Sequence, residues 1–266
     1  MIASFLLLLV GATDAVRSLA WPRRVVVGAV GLTWLGLGAL GVWGLGLAGA
    51  LILACIVLAA AWVVLMPVDD RPRPRRLWPA VVLVLLVAAG AGYPGVPGRA
   101  GVLADLYAAA ELDVLGSVSF RGVVAALAVT VFLTVSGNII ARAALGRALR
   151  DDAVTADEAP QGWHLRIGGR HVGSVDPPAK PEVRGATLRG GRLIGPLERL
   201  LIVLLALGGA QAIIAAVLAA KGIVRFPEIS EDRRSGSKAE EFLIGSLASW
   251  SLAAGAVVFL LVSAEA

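Results

Sequence analysis

Between Arg199 and Lys221 the chain runs for 21 residues without a charged side chain, LLIVLLALGGAQAIIAAVLAA. As one helix rising ~1.5 Å per residue, this stretch sets the two cations roughly 33 Å apart. That separation is close to the ~30 Å hydrocarbon core of a bilayer. The spacing therefore predicts a membrane-spanning helix with a charged collar at each face.

The rest of the chain agrees in kind. Of 266 residues 58% are hydrophobic and 16% are charged, and the mean hydropathy is +0.83. A soluble domain of this size needs far more polar surface than that. Seven apolar segments can be drawn, at about 2–20, 25–43, 46–66, 78–94, 120–141, 194–220 and 242–263. The expected fold is an all-α, polytopic transmembrane bundle of about seven spanning helices. Its parts are an N-terminal bundle of about five helices over 1–141, a cytoplasmic insert over 142–193 and a C-terminal helical hairpin over 194–266. The first segment also resembles a signal peptide, but no Lys or Arg precedes its apolar core, which favours an uncleaved helix. Gly31, Gly38 and Gly41 share one face of the second segment, and Gly245, Ser249 and Ala253 share one face of the last. Both are packing signals in lipid.

Basic residues set the orientation. Stretches 17–24, 67–76 and 142–192 carry three, four and nine cations, whereas 43–46 and 93–118 carry none and one. The cation-rich group is expected in the cytoplasm. The stretch 220–240, with five cations, falls on the wrong side if 194–220 crosses once, and a partly re-entrant 194–220 would remove the conflict. The net charge of +5 is thus a loop property and implies no nucleic acid. Arg outnumbers Lys 21 to 3, a bias typical of GC-rich bacterial genomes, which suggests the bacterial inner membrane. Within the insert, RDDAVTADEAP reads as a flexible linker. GWHLRIGGRHVGSVD reads as a β-hairpin turning at Gly168-Gly169, with Leu165 opposite Val172 and Arg166 opposite His171.

Polar residues at helical spacing are the candidates for function. Thr130, Thr134, Asn138 and Arg142 follow at intervals of four, a stripe that suits either a polar path or interhelical hydrogen bonds. Asp14 and Arg17 can neutralise each other at a helix end and reach the headgroups. Gln211, in mid-segment, needs a hydrogen-bond partner. Glu198, Arg199, Lys221, Arg225, Glu228, Glu240 and Glu241 form a candidate mixed-charge cap or partner site on the C-terminal hairpin. Cys55 is single and apolar in its setting. His164 and His171 are too few for a metal, and no phosphate loop, HExxH or GxSxG occurs. Neither catalysis, cofactor nor metal is expected.

Three blocks, GGRLIGPLERLLI, AAKGIVRFPEI and AEEFLIGSLAS, resemble the C-terminal signature of an uncharacterised family of bacterial integral membrane proteins. That family reads IGxLER, AAKxIxRFxE and AEYxLIGTLxS in the same order. The resemblance covers about residues 190–251, and Gly222, Phe242 and Ser246 replace the usual Ser, Tyr and Thr. It implies a membrane hairpin and no activity. The expected role is a non-enzymatic membrane component that binds a membrane partner or a second copy of itself, with a small-solute or ion transporter as the alternative.

Overall fold

A computed structural model describes residues 1–68, 77–91, 101–110, 118–156, 163–167, 170–175, 191–231 and 237–265. The hub is α1 (Ile2–Arg17), whose apolar run SFLLLLV has no polar side after Ser4. A helix apolar all round is stable only when surrounded. It is enclosed by α2 (Arg23–Ala39), α3 (Gly49–Leu65), α4 (Trp78–Ala91) and α6 (Phe120–Thr134). Phe5, Leu9 and Val10 are fully buried. Gly11 permits the close approach of α6, because a Cβ there would stand 3.0 Å from the Phe132 backbone nitrogen.

Around the hub, α2 buries none of its residues, and Leu32 and Leu35 are each 72% exposed. It continues into a π-helical turn, Leu40–Gly44, and the chain reverses into α3 at Gly46, whose φ of 67° is a glycine conformation. Of the three glycines expected to share a packed face, a Cβ on Gly41 would crowd Ile52 and Phe5 and one on Gly38 would meet Ile52, while one on Gly31 would meet open space. The short α5 (Val102–Ala109) is capped onto the start of α6. The Tyr107 hydroxyl donates to the Val118 carbonyl at 2.8 Å, and its ring meets Phe120.

The helix beyond Phe120 breaks at Val135 and resumes as α7 (Ser136–Ala156), with a bend of 41°. The expected linker is therefore helical as far as Ala156. Strands β1 (Trp163–Ile167) and β2 (Arg170–Val175) pair antiparallel. Arg166 opposes His171 as expected, but Leu165 opposes Gly173 instead of Val172. A bulge between Leu165 and Arg166 shifts the register by one residue. The turn at Gly168-Gly169 lies outside the described residues.

Helices α8 (Gly191–Leu207) and α9 (Gln211–Glu231) are joined by a tight turn at Gly208–Ala210, and α10 (Ser237–Glu265) closes the bundle. Gly209, at φ 72°, ends α8, and Ala210 donates back to the Leu205 carbonyl at 2.8 Å. This is a C-terminal cap of the left-handed type. Near its start α10 packs on α7 and α8. Near its end Phe259 and Ser263 line a small recess together with Ser4, Ala91 and Arg121. It therefore runs from the end of the bundle that holds Arg199 to the end where α1 and α6 begin.

The expectation of seven spanning helices is corrected. Among the described residues two helices are long and apolar enough to cross a membrane, Arg23–Gly44 (22 residues) and Ala239–Ala264 (26 residues). A third is gained if the bent pair α6–α7 counts as one span. Breaks and early ends account for the difference. Segment 194–220 is interrupted at Gly208–Ala210, 120–141 is interrupted at Val135, α3 has 17 residues and α4 has 14.

Candidate functional site

The turn at Gly209 decides the geometry of the C-terminal unit. Glu198 and Lys221 stand at nearly equal distances along the chain from it, so antiparallel α8 and α9 bring them level. The Lys221 ammonium donates to both carboxylate oxygens of Glu198, at 2.7 and 2.6 Å. The Trp250 indole N–H of α10 donates to the same Oε1 at 2.9 Å. Lys221 also lies 5.9 Å from the Phe242 ring centroid and 5.7 Å from that of Trp250, within cation–π range. One ion pair, one indole and two aromatic faces thus join three helices.

One residue on, Arg199 points the other way and is 1% exposed. Its Nε donates to the Leu133 carbonyl of α6 at 3.0 Å, Nη1 to the Ser249 hydroxyl of α10 at 3.3 Å and Nη2 to Asn138 Oδ1 of α7. The Leu133 acceptor follows from the helix break, since in a continuous helix that carbonyl would take the N–H of Gly137. Gly137 and Gly195 leave the room, for a Cβ on Gly137 would lie 2.9 Å from Arg199 Nε and one on Gly195 3.2 Å from Asn138 Oδ1. The guanidinium is a three-way brace inserted into a bent helix. These three hydrogen-bond partners are neutral, and the neighbouring carboxylate of Glu198 is engaged by Lys221.

A second polar knot joins the N-terminal helices. Asp14 is fully buried and accepts from Arg17 Nη1 at 2.8 Å, the Trp62 indole at 2.9 Å and the Ser136 hydroxyl at 2.7 Å. Arg17 also donates to the carbonyls of Val63 and Met66, capping the end of α3. Next to it Thr13 donates to the Leu9 carbonyl and accepts from the Trp34 indole at 2.9 Å. Trp34→Phe should cost about 0.5–1.5 kcal/mol, read as a lower unfolding midpoint, because it removes one neutral hydrogen bond at a half-buried contact.

Several expectations change at this point. Arg199 and Lys221 are not collars at opposite faces, because Arg199 is buried and Lys221 returns to its level. Asp14 and Arg17 pair with each other as expected, at 2.8 Å, but Asp14 is fully buried and is the junction of α1, α3 and α7 instead of reaching outward. Thr130 and Thr134 donate to the Ala126 and Thr130 carbonyls of their own helix, at 2.8 and 2.6 Å. Thr130 is exposed, so the stripe is not a continuous polar lining. Asn138 bridges helices by accepting from Arg199, and Arg142 is half-buried and engaged. Gln211 is exposed at the turn where α9 starts. Arg225 is exposed and engaged, Glu240 is exposed and Glu241 half-buried. The Glu228 side chain lies outside the description. Of the expected cap, then, Glu198 and Lys221 pair, while the adjacent Arg199 serves a separate set of partners.

Trp62, Ser136 and Trp250 were not singled out in the sequence. The only available signal was that buried Trp and Ser donors in apolar helices need acceptors. Among the described residues no group of three or more His, Cys, Asp or Glu side chains could hold a metal ion. A double-mutant cycle on Glu198→Gln and Lys221→Met should give a coupling of about 1–3 kcal/mol, because the two groups touch and share Trp250. No protein family, curated protein or solved structure matches the chain.

Proposed function

We propose that the chain is a multi-pass protein of the bacterial inner membrane. In this reading its C-terminal unit, α8 to α10, binds a membrane partner and catalyses no reaction itself. The carrying observation is the contrast between the two sides of α8. Inward, Glu198 and Arg199 bond to α6, α7, α9 and α10. Outward, Leu197, Leu201 and Leu204 are exposed, and Ile223, Val224 and Phe226 of α9 continue the apolar surface. Internal polar bonds fix the shape of the unit, and an apolar outer face gives a partner helix its contact area.

The same geometry favours a topology. From the Glu198–Lys221 level to Gly209 the hairpin reaches roughly 17 Å, about half the ~30 Å hydrocarbon core. A hairpin of this depth enters and leaves by one face. It puts 220–240 on the side of 142–192, so that 17–24, 67–76, 142–192 and 220–240 all lie in the cytoplasm. The cation count then obeys the positive-inside rule without exception.

Two measurements test the reading. In a Cys55→Ala background, single cysteines at Ser230 and Thr155 should both resist a membrane-impermeant maleimide applied to intact cells, and both should react after permeabilisation. Labelling of Ser230 from outside would overturn the re-entrant hairpin. A photo-crosslinking residue at Leu201 or Val224 should give a discrete adduct of one partner mass in native membranes, and one at Leu127 on α6 should give none. Equal lipid-only labelling at all three positions would remove the partner role.

A further inference from the structure

Away from the Arg199 cluster, α1, α4, α6 and α10 leave a groove of about 380 Å³ between them. This is within the range of small-molecule sites. Its walls are Leu7 and Val87, Phe132 of α6, and Leu252, Gly255 and Val262 of α10, with other apolar side chains between. From Ser251 to Val262 the groove follows α10 for roughly 17 Å, about one leaflet of the ~30 Å core. At its end it meets a small polar recess. Ala91 and Phe259 line both, and Arg121, Ser4 and Ser263 complete the recess. The recess measures about 10 Å³, room for one water-sized group. Ser4 is 2% exposed and lines it.

A long apolar slot that ends beside a guanidinium and two hydroxyls has the polarity of an amphiphile with an anionic head. We infer that the groove holds one acyl chain of an anionic phospholipid from the surrounding bilayer, with its phosphate beside the water-sized recess and not in it, on Arg121, an already engaged side chain with five N–H donors. One polar end on an otherwise apolar slot favours an acyl chain with its headgroup over an apolar partner helix, which would leave the recess unmatched. The positive charge at one end favours an anionic over a zwitterionic head. The inference rests on the membrane placement of the chain but not on a protein partner.

The test is native mass spectrometry of the purified, delipidated full-length protein, titrated with phosphatidylglycerol or with phosphatidylcholine of the same chains. One phosphatidylglycerol should bind ahead of the rest, and Arg121→Gln should weaken it about fivefold, the scale of one basic residue at an anionic surface. Gly255→Leu should abolish the tight site for both lipids. A side chain fits there, because a Cβ on Gly255 meets no atom within 4 Å. Gly245→Leu, equally open but off the groove, should change nothing. Equal affinity for the two lipids, or an unchanged tight site in Gly255→Leu, overturns the assignment. Dimers that Gly255→Leu abolishes would mean instead that the groove seats a second copy. Crosslinking at Leu201 would be unaffected by any of these outcomes, so the partner proposal stands or falls separately.

Discussion

Replacing Arg199 by leucine should lower the stability of the protein in mild detergent by about 2–4 kcal/mol. Interhelical hydrogen bonds in membrane proteins average ~0.6 kcal/mol and reach ~1.7, and Arg199 makes three. The Leu133 carbonyl, opened by the break at Val135, is then left without its donor, which costs a further ~1–3 kcal/mol. Relief from desolvating the guanidinium offsets part of this. Lysine should recover less than half of the loss, since one ammonium cannot reach three helices in three directions as the planar fork does. Gly137→Ala should reproduce a share of the effect with Arg199 intact, because its Cβ would stand 2.9 Å from Nε. Thermal unfolding would read the loss of Arg199 as a fall of roughly 5–15 °C for a chain of this length. A wild-type midpoint in Arg199→Lys would show that charge alone matters. A raised midpoint in Arg199→Leu would show that the brace is a net burden.

Arg199 also marks the limit of what the sequence discloses. Its spacing from Lys221 matched a bilayer so well that a single span was the natural reading. The contrary signal was present: Gly208-Gly209, followed by Gln211, in the middle of an otherwise apolar run. In lipid, glycine pairs serve both close helix packing and chain reversal, and composition cannot separate the two uses. Only the conflict over the five cations of 220–240 pointed to a reversal. Once the chain turns at Gly209, the three blocks that stood apart in sequence meet. Glu198 and Arg199 come from the first, Lys221 from the second, and Phe242 and Ser249 from the third.

Helix positions were mostly legible because apolar runs and their polar ends are local properties. Helix lengths were not, because a break such as that at Val135 is stabilised by a distant side chain, here Arg199. The strands follow from local alternation, while the bulge between Leu165 and Arg166 leaves no local mark in the sequence. The stripe from Thr130 to Arg142 shows the same limit. An interval of four residues assumes a straight helix, and the 41° bend divides Thr134 from Asn138. The first segment, which also resembled a signal peptide, is the hub α1. Its polar end, which suggested an interface, is the buried junction at Asp14.

That junction carries the other large effect. Asp14→Leu should destabilise the protein by about 3–5 kcal/mol, the usual cost of removing one member of a buried ion pair. It strands two further donors, the Trp62 indole and the Ser136 hydroxyl, which both bond Oδ2. Asp14→Asn should cost less. Its carbonyl oxygen can keep the Trp62 and Ser136 bonds, while its amide nitrogen meets Arg17 donor to donor. Arg17→Met should also be costly, because it leaves the Asp14 carboxylate buried without a cation and uncaps the Val63 and Met66 carbonyls. The decisive variant is the double mutant Asp14→Leu/Arg17→Met. With both charges gone the electrostatic part of the penalty disappears, so it should unfold at least ~1 kcal/mol later than the sum of the single losses predicts. Additive losses would mean that Asp14 and Arg17 act independently, Asp14 on α3 and α7 and Arg17 on the end of α3. A coupling of that size would make the pair a single unit, which fastens the hub to the helix that Arg199 bends.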